Sequence, residues 1–282
     1  MNDSLSAREV FMKDHLVRKF VSIGLVMALL TLPLTAQDIN LEALLLKNEN
    51  QLRPPATEGD MKMIIINKAG QERVREIKAY SKTEADDTTK QSLIFLAPAD
   101  VRDTRFLTID YKDPAKDDEQ YIYIPALRKV RTIGTSGGES KTGAFLGSDF
   151  TFADIGTLDR KDFTVKLLGP DSMGGRQYAR VEYTAKSPQV VKNYGYSKIV
   201  RWIDLEHATT KQSEYYDSSG KLIKRLVIQN QRLVDGKYWQ FDAMEMQNLE
   251  SGGKTIWQFV KTTILPAIDD KYFTVRFIER GR

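Results

Sequence analysis

The 282-residue sequence contains no cysteine. Disulfide frameworks, zinc–thiolate sites, cysteine nucleophiles and a lipid anchor on an N-terminal cysteine are all excluded by that absence. It names no compartment and is compatible with export. Histidine is nearly as scarce, with only His15 and His207, so a multi-histidine metal centre has too few ligands. Charge of one sign is lacking too. The 42 Lys and Arg are mixed along the chain with 38 Asp and Glu, for a net charge of +4. No basic stripe with interleaved aromatics stands out, so a nucleic-acid partner is not expected. No cofactor is expected either.

What is present is material for a core. Hydrophobic residues make up 41% of the chain and aromatics 10%, which argues against global disorder. Arg8, Lys13, Arg18 and Lys19 precede an apolar run from Phe20 to Leu34, closed by Pro33, Thr35 and Ala36. A basic stretch, an apolar stretch and a small residue at its end read as a secretory signal peptide over 1–36, cleaved after Ala36. Translation from Met12 would give a more ordinary basic start. A retained anchor is the competing reading, but the run is short for a bilayer span of roughly 20 apolar residues. Residues 37–282 are then one exported domain.

Leu41, Leu44, Leu45, Leu46 and Leu52 are spaced for an amphipathic helix, with Asp38 or Asn40 as its cap and Arg53-Pro54-Pro55 as its end. After Gly59 the pattern changes to strands. Short apolar or alternating runs follow one another to Ile264, divided by turn signals at Ala69-Gly70, Gly174-Gly175, Ser218-Ser219-Gly220, Asp235-Gly236 and Gly252-Gly253. No helix of useful length intervenes, so a parallel βαβ fold is disfavoured. The expectation is a mainly β protein: one curved antiparallel sheet of about eleven strands, with an N-terminal helix and a short apolar helix in its middle. A sheet of that size must roll up or be covered.

The middle of the chain breaks the strand pattern. Gly134 to Gly143 is a flexible loop by composition. It is not a phosphate loop, because Ser140 stands where the motif before Lys141-Thr142 requires glycine. The segment that follows, Ala144 to Ile155, is unusually apolar for a connection. Ser148 or Asp149 is read as the cap of a short helix, with Asp154 near its first turn. Capping explains these two acids better than acid–base chemistry, which needs opposed environments in a cleft. Ser148 and Ser213 have no Gly-x-Ser-x-Gly context, and His207 reads as a turn residue.

The aromatics raise a different question. Trp202, Trp239 and Trp257 each fall in an expected strand, as do Tyr215, Tyr216 and Phe259. Sheet packing is one reading. The wall of an apolar cavity is the other, with Met61, Met63, Met244 and Met246 as a deformable lining beside Trp202 and Trp257. Pattern alone leaves packed core and open cavity on an equal footing.

The stretch from Tyr123 to Arg131, reading Tyr-Ile-Pro-Ala-Leu-Arg-Lys-Val-Arg, is followed by Leu146-Gly147-Ser148-Asp149-Phe150-Thr151-Phe152-Ala153-Asp154-Ile155. Together they resemble the signature of the outer-membrane lipoprotein-sorting proteins, a LolA-like family related in fold to LolA and LolB. Gly147, Ser148, Asp149, Phe150 and Asp154 carry the most specific part. Softer matches are Trp202-Ile203-Asp204, Glu214 to Lys224, Met244 to Asn248, and Phe273 with Ile278-Glu279-Arg280. The resemblance implies an unclosed β-barrel with helices over its mouth; the loop from Gly134 to Gly143 and the short apolar helix after it are then its lid, with Phe145, Leu146, Phe150, Phe152 and Ile155 as cavity or lid residues. It also implies a periplasmic, non-catalytic carrier that holds a lipid or lipoprotein acyl chain during sorting towards the outer membrane. Transient membrane contact and an RND-type transporter partner follow from the same likeness. The rival readings are an accessory subunit of an RND export pump, its cavity filled by its own side chains, and a lipid hydrolase.

Overall fold

The computed structural model of the protein describes residues 38–113, 115–134 and 140–281. The expected signal segment and residues 135–139 of the glycine-rich loop lie outside them. Helix α1 (Leu41–Glu49) is capped by Asn40, whose side chain accepts from the Ala43 amide at 3.0 Å. Its Leu44 and Leu45 are buried. It ends three residues before Arg53, earlier than the leucine spacing suggests, at Asn50.

The strands form two antiparallel meanders. The first runs β1 (Ala56–Ile66), β2 (Glu72–Thr83), β3 (Thr89–Ala97), β4 (Arg105–Asp110), β5 (Glu119–Ile124) and β6 (Lys129–Thr132). The second runs β7 (Phe163–Met173), β8 (Arg176–Ala185), β9 (Lys198–Asp204), β10 (Thr210–Tyr216), β11 (Leu222–Gln229), β14 (Ala243–Asn248) and β15 (Lys254–Leu265). Between β11 and β14 a small hairpin of β12 (Arg232–Val234) and β13 (Tyr238–Gln240) stands apart. β1 pairs with β15 from Ala56↔Leu265 to Ile66↔Lys254, joining the meanders into one sheet with β6 and β7 at its two edges. The sheet has thirteen strands rather than about eleven. The chain passes from the small hairpin to the large sheet at Phe241-Asp242, which divides β13 from β14.

Alternation sorts the side chains. On one face Met61, Met63, Ile77, Leu93, Phe95, Phe106, Ile122, Val181, Ile199, Ile203, Met246 and Trp257 belong to one continuous core, and we call this the inner face. On the outer face of the first meander, Leu107 packs with Phe273, Phe277 and Ile278 of the C-terminal segment, which ends in helix α4 (Val275–Arg280) capped by Thr274. Helix α3 (Pro188–Tyr194) links β8 to β9. It was not expected, although Ser187 as cap, Pro188 in the first turn and Gly195 at φ +85° mark both its ends.

Candidate functional site

The chain between the two edge strands crosses the inner face. Leu146 (φ 50°) and Gly147 (φ 72°) are both left-handed, and they turn the backbone back so that the Phe145 amide meets the Phe150 carbonyl at 2.8 Å. Nothing lies within 4 Å of a Cβ added at Gly147, so its need for glycine is conformational. The turn aims Phe145 and Phe150 inward. Phe145, 0% exposed, stands 4.9 Å from Phe106, 5.3 Å from Phe152 and 5.9 Å from Trp257 between ring centroids. Phe150 meets Trp257 edge-on at 6.1 Å. Met61, Met63 and Met246 are buried in the same cluster, with Leu146, Ile155 and Met244 partly buried against it. The expected cavity and lid residues are thus brought together as one apolar plug, with one exception. Trp202 lies on the opposite face with Tyr178 and Val200, its indole N–H donating to Asp171 at 2.9 Å.

Polar contacts hold the plug at three points. Buried Arg75 (5% exposed) on β2 donates to the Leu146 carbonyl. Burial lowers the pKa of its guanidinium, with the charge of Asp100 acting the other way. The Asp149 amide donates to Thr255 Oγ1 at 3.0 Å, and that hydroxyl donates back to the Asp149 carboxylate at 2.7 Å. Helix α2 (Phe152–Ile155) is capped by Thr151, in a capping box with Asp154. Neither Ser148 nor Asp149 is the cap: Ser148 Oγ is occupied with the Phe150 backbone, and Asp149 is turned to Thr255. The Asp154 carboxylate also accepts from Tyr196 Oη at 2.7 Å and lies 3.4 Å from Lys224 Nζ. Burial first, then the Asp154 charge, raises the Tyr196 pKa well above its usual value.

A cleft of about 1050 Å³ opens at one end of the seam between the sheet edges. Its walls come from the end of α1, the β4–β5 turn, the chain after α2 and the start of β7. None of the expected cavity or lid residues lines it; of the residues named from the sequence, Arg53, Lys141 and Ala153 do. Among the described residues, seven basic and seven acidic side chains do. Thr108 on β4 pairs with Gln120 on β5, and Asp110 and Asp118 follow on the same face, where the Tyr111 amide donates to Asp118 at 2.9 Å. The Asp110 carboxyl pKa is pushed up to about 7, first by burial, then by Asp118, against the pull of Arg53 and Lys141. Gln120, 4% exposed, donates from Nε2 to the Phe152 carbonyl at 3.1 Å. Asp110 Oδ1, Gln120 Oε1 and Arg201 Nε are all buried without a hydrogen-bond partner. A Cβ added at Gly156 would stand 2.9 Å from Gln120 Nε2, so glycine there lets the backbone close over this glutamine. The only sequence signal was a run of charge from Asp110 to Glu119, which reads equally well as a solvated turn.

Comparison with known proteins places this geometry. Residues 87–280 match the model of a family described as uncharacterized protein. Among solved structures, the chain is similar to one from Vibrio parahaemolyticus described as an outer membrane lipoprotein-sorting protein domain, at 27% identity and TM-score 0.75 over 85% of this chain and 97% of that one. It is similar to a DUF1329 family protein from Desulfovibrio piger at 26% identity and TM-score 0.74, over 84% and 96%. A LolA superfamily protein from Nitrosomonas europaea, 17% identical over 86% of this chain and 99% of that one, shares the fold at TM-score 0.61. Among curated proteins, none matches. The fold is the large unclosed antiparallel sheet of the LolA type.

Proposed function

This chain belongs to the DUF1329 family, and from its unclosed sheet and apolar plug we propose that it is a non-catalytic periplasmic carrier, exported by the segment over 1–36, that holds a lipid or lipoprotein acyl chain on the inner face. The observation that carries the reading is the plug itself, a connecting segment with three buried phenylalanines tied down by only a few polar contacts. In this reading the plug occupies the acyl position and yields to cargo. Magnitudes favour the exchange. Burial of three phenylalanine side chains is worth about 5–9 kcal/mol, whereas an acyl chain of about fourteen methylenes gains roughly 11 kcal/mol. One chain already exceeds the loss by about 2–6 kcal/mol, and a second adds to that margin. Sorting towards the outer membrane is the setting suggested by the lipoprotein-sorting relative, and transient membrane contact with an RND-type transporter as donor or acceptor is part of our proposal.

The experiment is native mass spectrometry of the protein purified from periplasm, with lipid extraction alongside. The carrier reading expects a stoichiometric lipid or acylated peptide. Trp257 then serves as a local reporter in a Trp202→Phe, Trp239→Phe background, where lipids brominated on the acyl chain should quench its fluorescence. Lipid that binds without quenching removes the plug from the acyl site. The complete burial of Phe145 favours a second reading, a pump accessory subunit with a permanently filled interior. A protein that arrives empty, refuses added lipid and co-purifies with an RND transporter would establish that one.

A further inference from the structure

The seam cleft contains buried hydrogen-bonding groups of both kinds that the protein itself leaves unsatisfied. Two are acceptors, Asp110 Oδ1 and Gln120 Oε1, and one is a donor on a cation, Arg201 Nε. All three residues line the same cleft. A buried polar atom without a partner costs about 1–3 kcal/mol, more when charged, and native structures leave few of them unexplained. The position of each is enforced. Gln120 is held by the Phe152 carbonyl under Gly156. Asp110 is hydrogen-bonded by the Thr157 side chain. Arg201 lies over the Tyr183 ring at 5.1 Å. The sign of the groups defines the complement: a donor for the carboxylate and amide oxygens, and an acceptor, best an anion, for the guanidinium. The equal numbers of acidic and basic side chains on the walls fit a ligand that is neutral overall and carries both charges. The cleft also abuts the plug, since Gln120 bonds the backbone of Phe152.

We propose that the cleft takes a zwitterionic headgroup of the phosphoethanolamine type, its ammonium on Asp110 and Gln120 and its phosphate on Arg201. In a phospholipid that headgroup is attached to the acyl chains assigned to the inner face, and to that extent the inference rests on the carrier reading. The same chemistry is offered by free phosphoethanolamine, and the test separates the two.

Delipidated protein is titrated calorimetrically with dihexanoyl phosphatidylethanolamine, with dihexanoyl phosphatidylglycerol and with O-phosphoethanolamine. The acyl chains of the two lipids are identical, so any preference belongs to the headgroup. We expect the ethanolamine lipid to bind about tenfold more tightly, as one charge-assisted hydrogen bond predicts. Asp110→Asn should abolish the preference while leaving the glycerol lipid's affinity in place. Equal affinities of the unaltered protein for the two lipids overturn the headgroup inference and leave the carrier reading standing. Binding of phosphoethanolamine, lost in Asp110→Asn, without binding of either lipid keeps the headgroup site and sinks the carrier. No binding by any of the three overturns both. The two-lipid comparison needs no variant, so it decides even if Asp110→Asn fails to fold.

Discussion

Asp110 illustrates what a single side chain contributes in a place the chain would not choose for stability alone. Its folded pKa of about 7 lies above the ordinary carboxylate value of 3.8. The folded state therefore keeps a proton that the unfolded chain releases, so stability falls as pH rises from about 4 to about 7 and stays reduced above that. In delipidated protein, Asp110→Asn should raise the melting temperature at pH 8 and change it little at pH 4. After allowance for the partial exposure of the group, the gain at pH 8 is on the order of 2 kcal/mol. A thermal melt at the two pH values checks it, and a larger gain at pH 4 would reverse the sign of the argument. None of this was legible in the sequence, where Asp110 ends an alternating strand beside other acids. Burial and the missing partner arise only when the chain after α2 folds over β4 and β5. Trp202 was misleading for a related reason. β9 is apolar on both faces, with Ile199 and Ile203 inside and Val200 and Trp202 outside, so alternation within the strand does not say which face is which.

At the scale of elements, the plug is a segment with little regular structure of its own. Its one helix, α2, has four residues, too short to persist without its cap and its packing. Thr151→Ala removes half of the capping box and should cost about 1 kcal/mol. The loss should appear as faster hydrogen exchange at the Phe152–Ile155 amides, with the sheet amides unchanged. If exchange quickens throughout the molecule instead, the plug and the sheet open as one unit and the plug is no separate gate. The apolar character of Phe145 to Ile155 was plain from composition, but its packing against the inner-face methionines was not, because those partners lie far away in sequence on β1 and β14. The cap was within reach too, since Thr151-x-x-Asp154 has the spacing of a capping box, but the Ser148-Asp149 pair offered a competing start. Helix α3 carries clear end signals, yet with Val190 its only buried residue it lacks the periodicity that announces a helix.

Over the whole molecule, the strand content and antiparallel order were readable because each turn is punctuated locally. The pairing of β1 with β15 was not, since no local signal links residues some two hundred positions apart. Among the described residues that pairing is the sole ladder between the meanders, and its weak point is Gly59, where an added Cβ would stand 2.6 Å from the Lys261 carbonyl oxygen. Gly59→Val must displace β15 there, beside the register shift at Asp60/Met61. Overpacking of this kind costs about 1–3 kcal/mol, and the variant should unfold at correspondingly lower denaturant concentration. An unchanged midpoint would show that the ladder tolerates being parted at that point.

The same pairing sets an order of events. A chain delivered from its N-terminus, whether by a ribosome or through a translocation channel, presents β1 early and β15 last. Until residues 254–265 arrive, β1 has one of its two sheet neighbours missing, and the inner face lacks Trp257 and the Thr255 hydroxyl that holds Asp149. Closure is thus a late, long-range step of the kind that slows folding. The joining of the two meanders is held back until residues 254–265 have emerged, which leaves the inner face open, and the container unmade, through most of the chain's delivery.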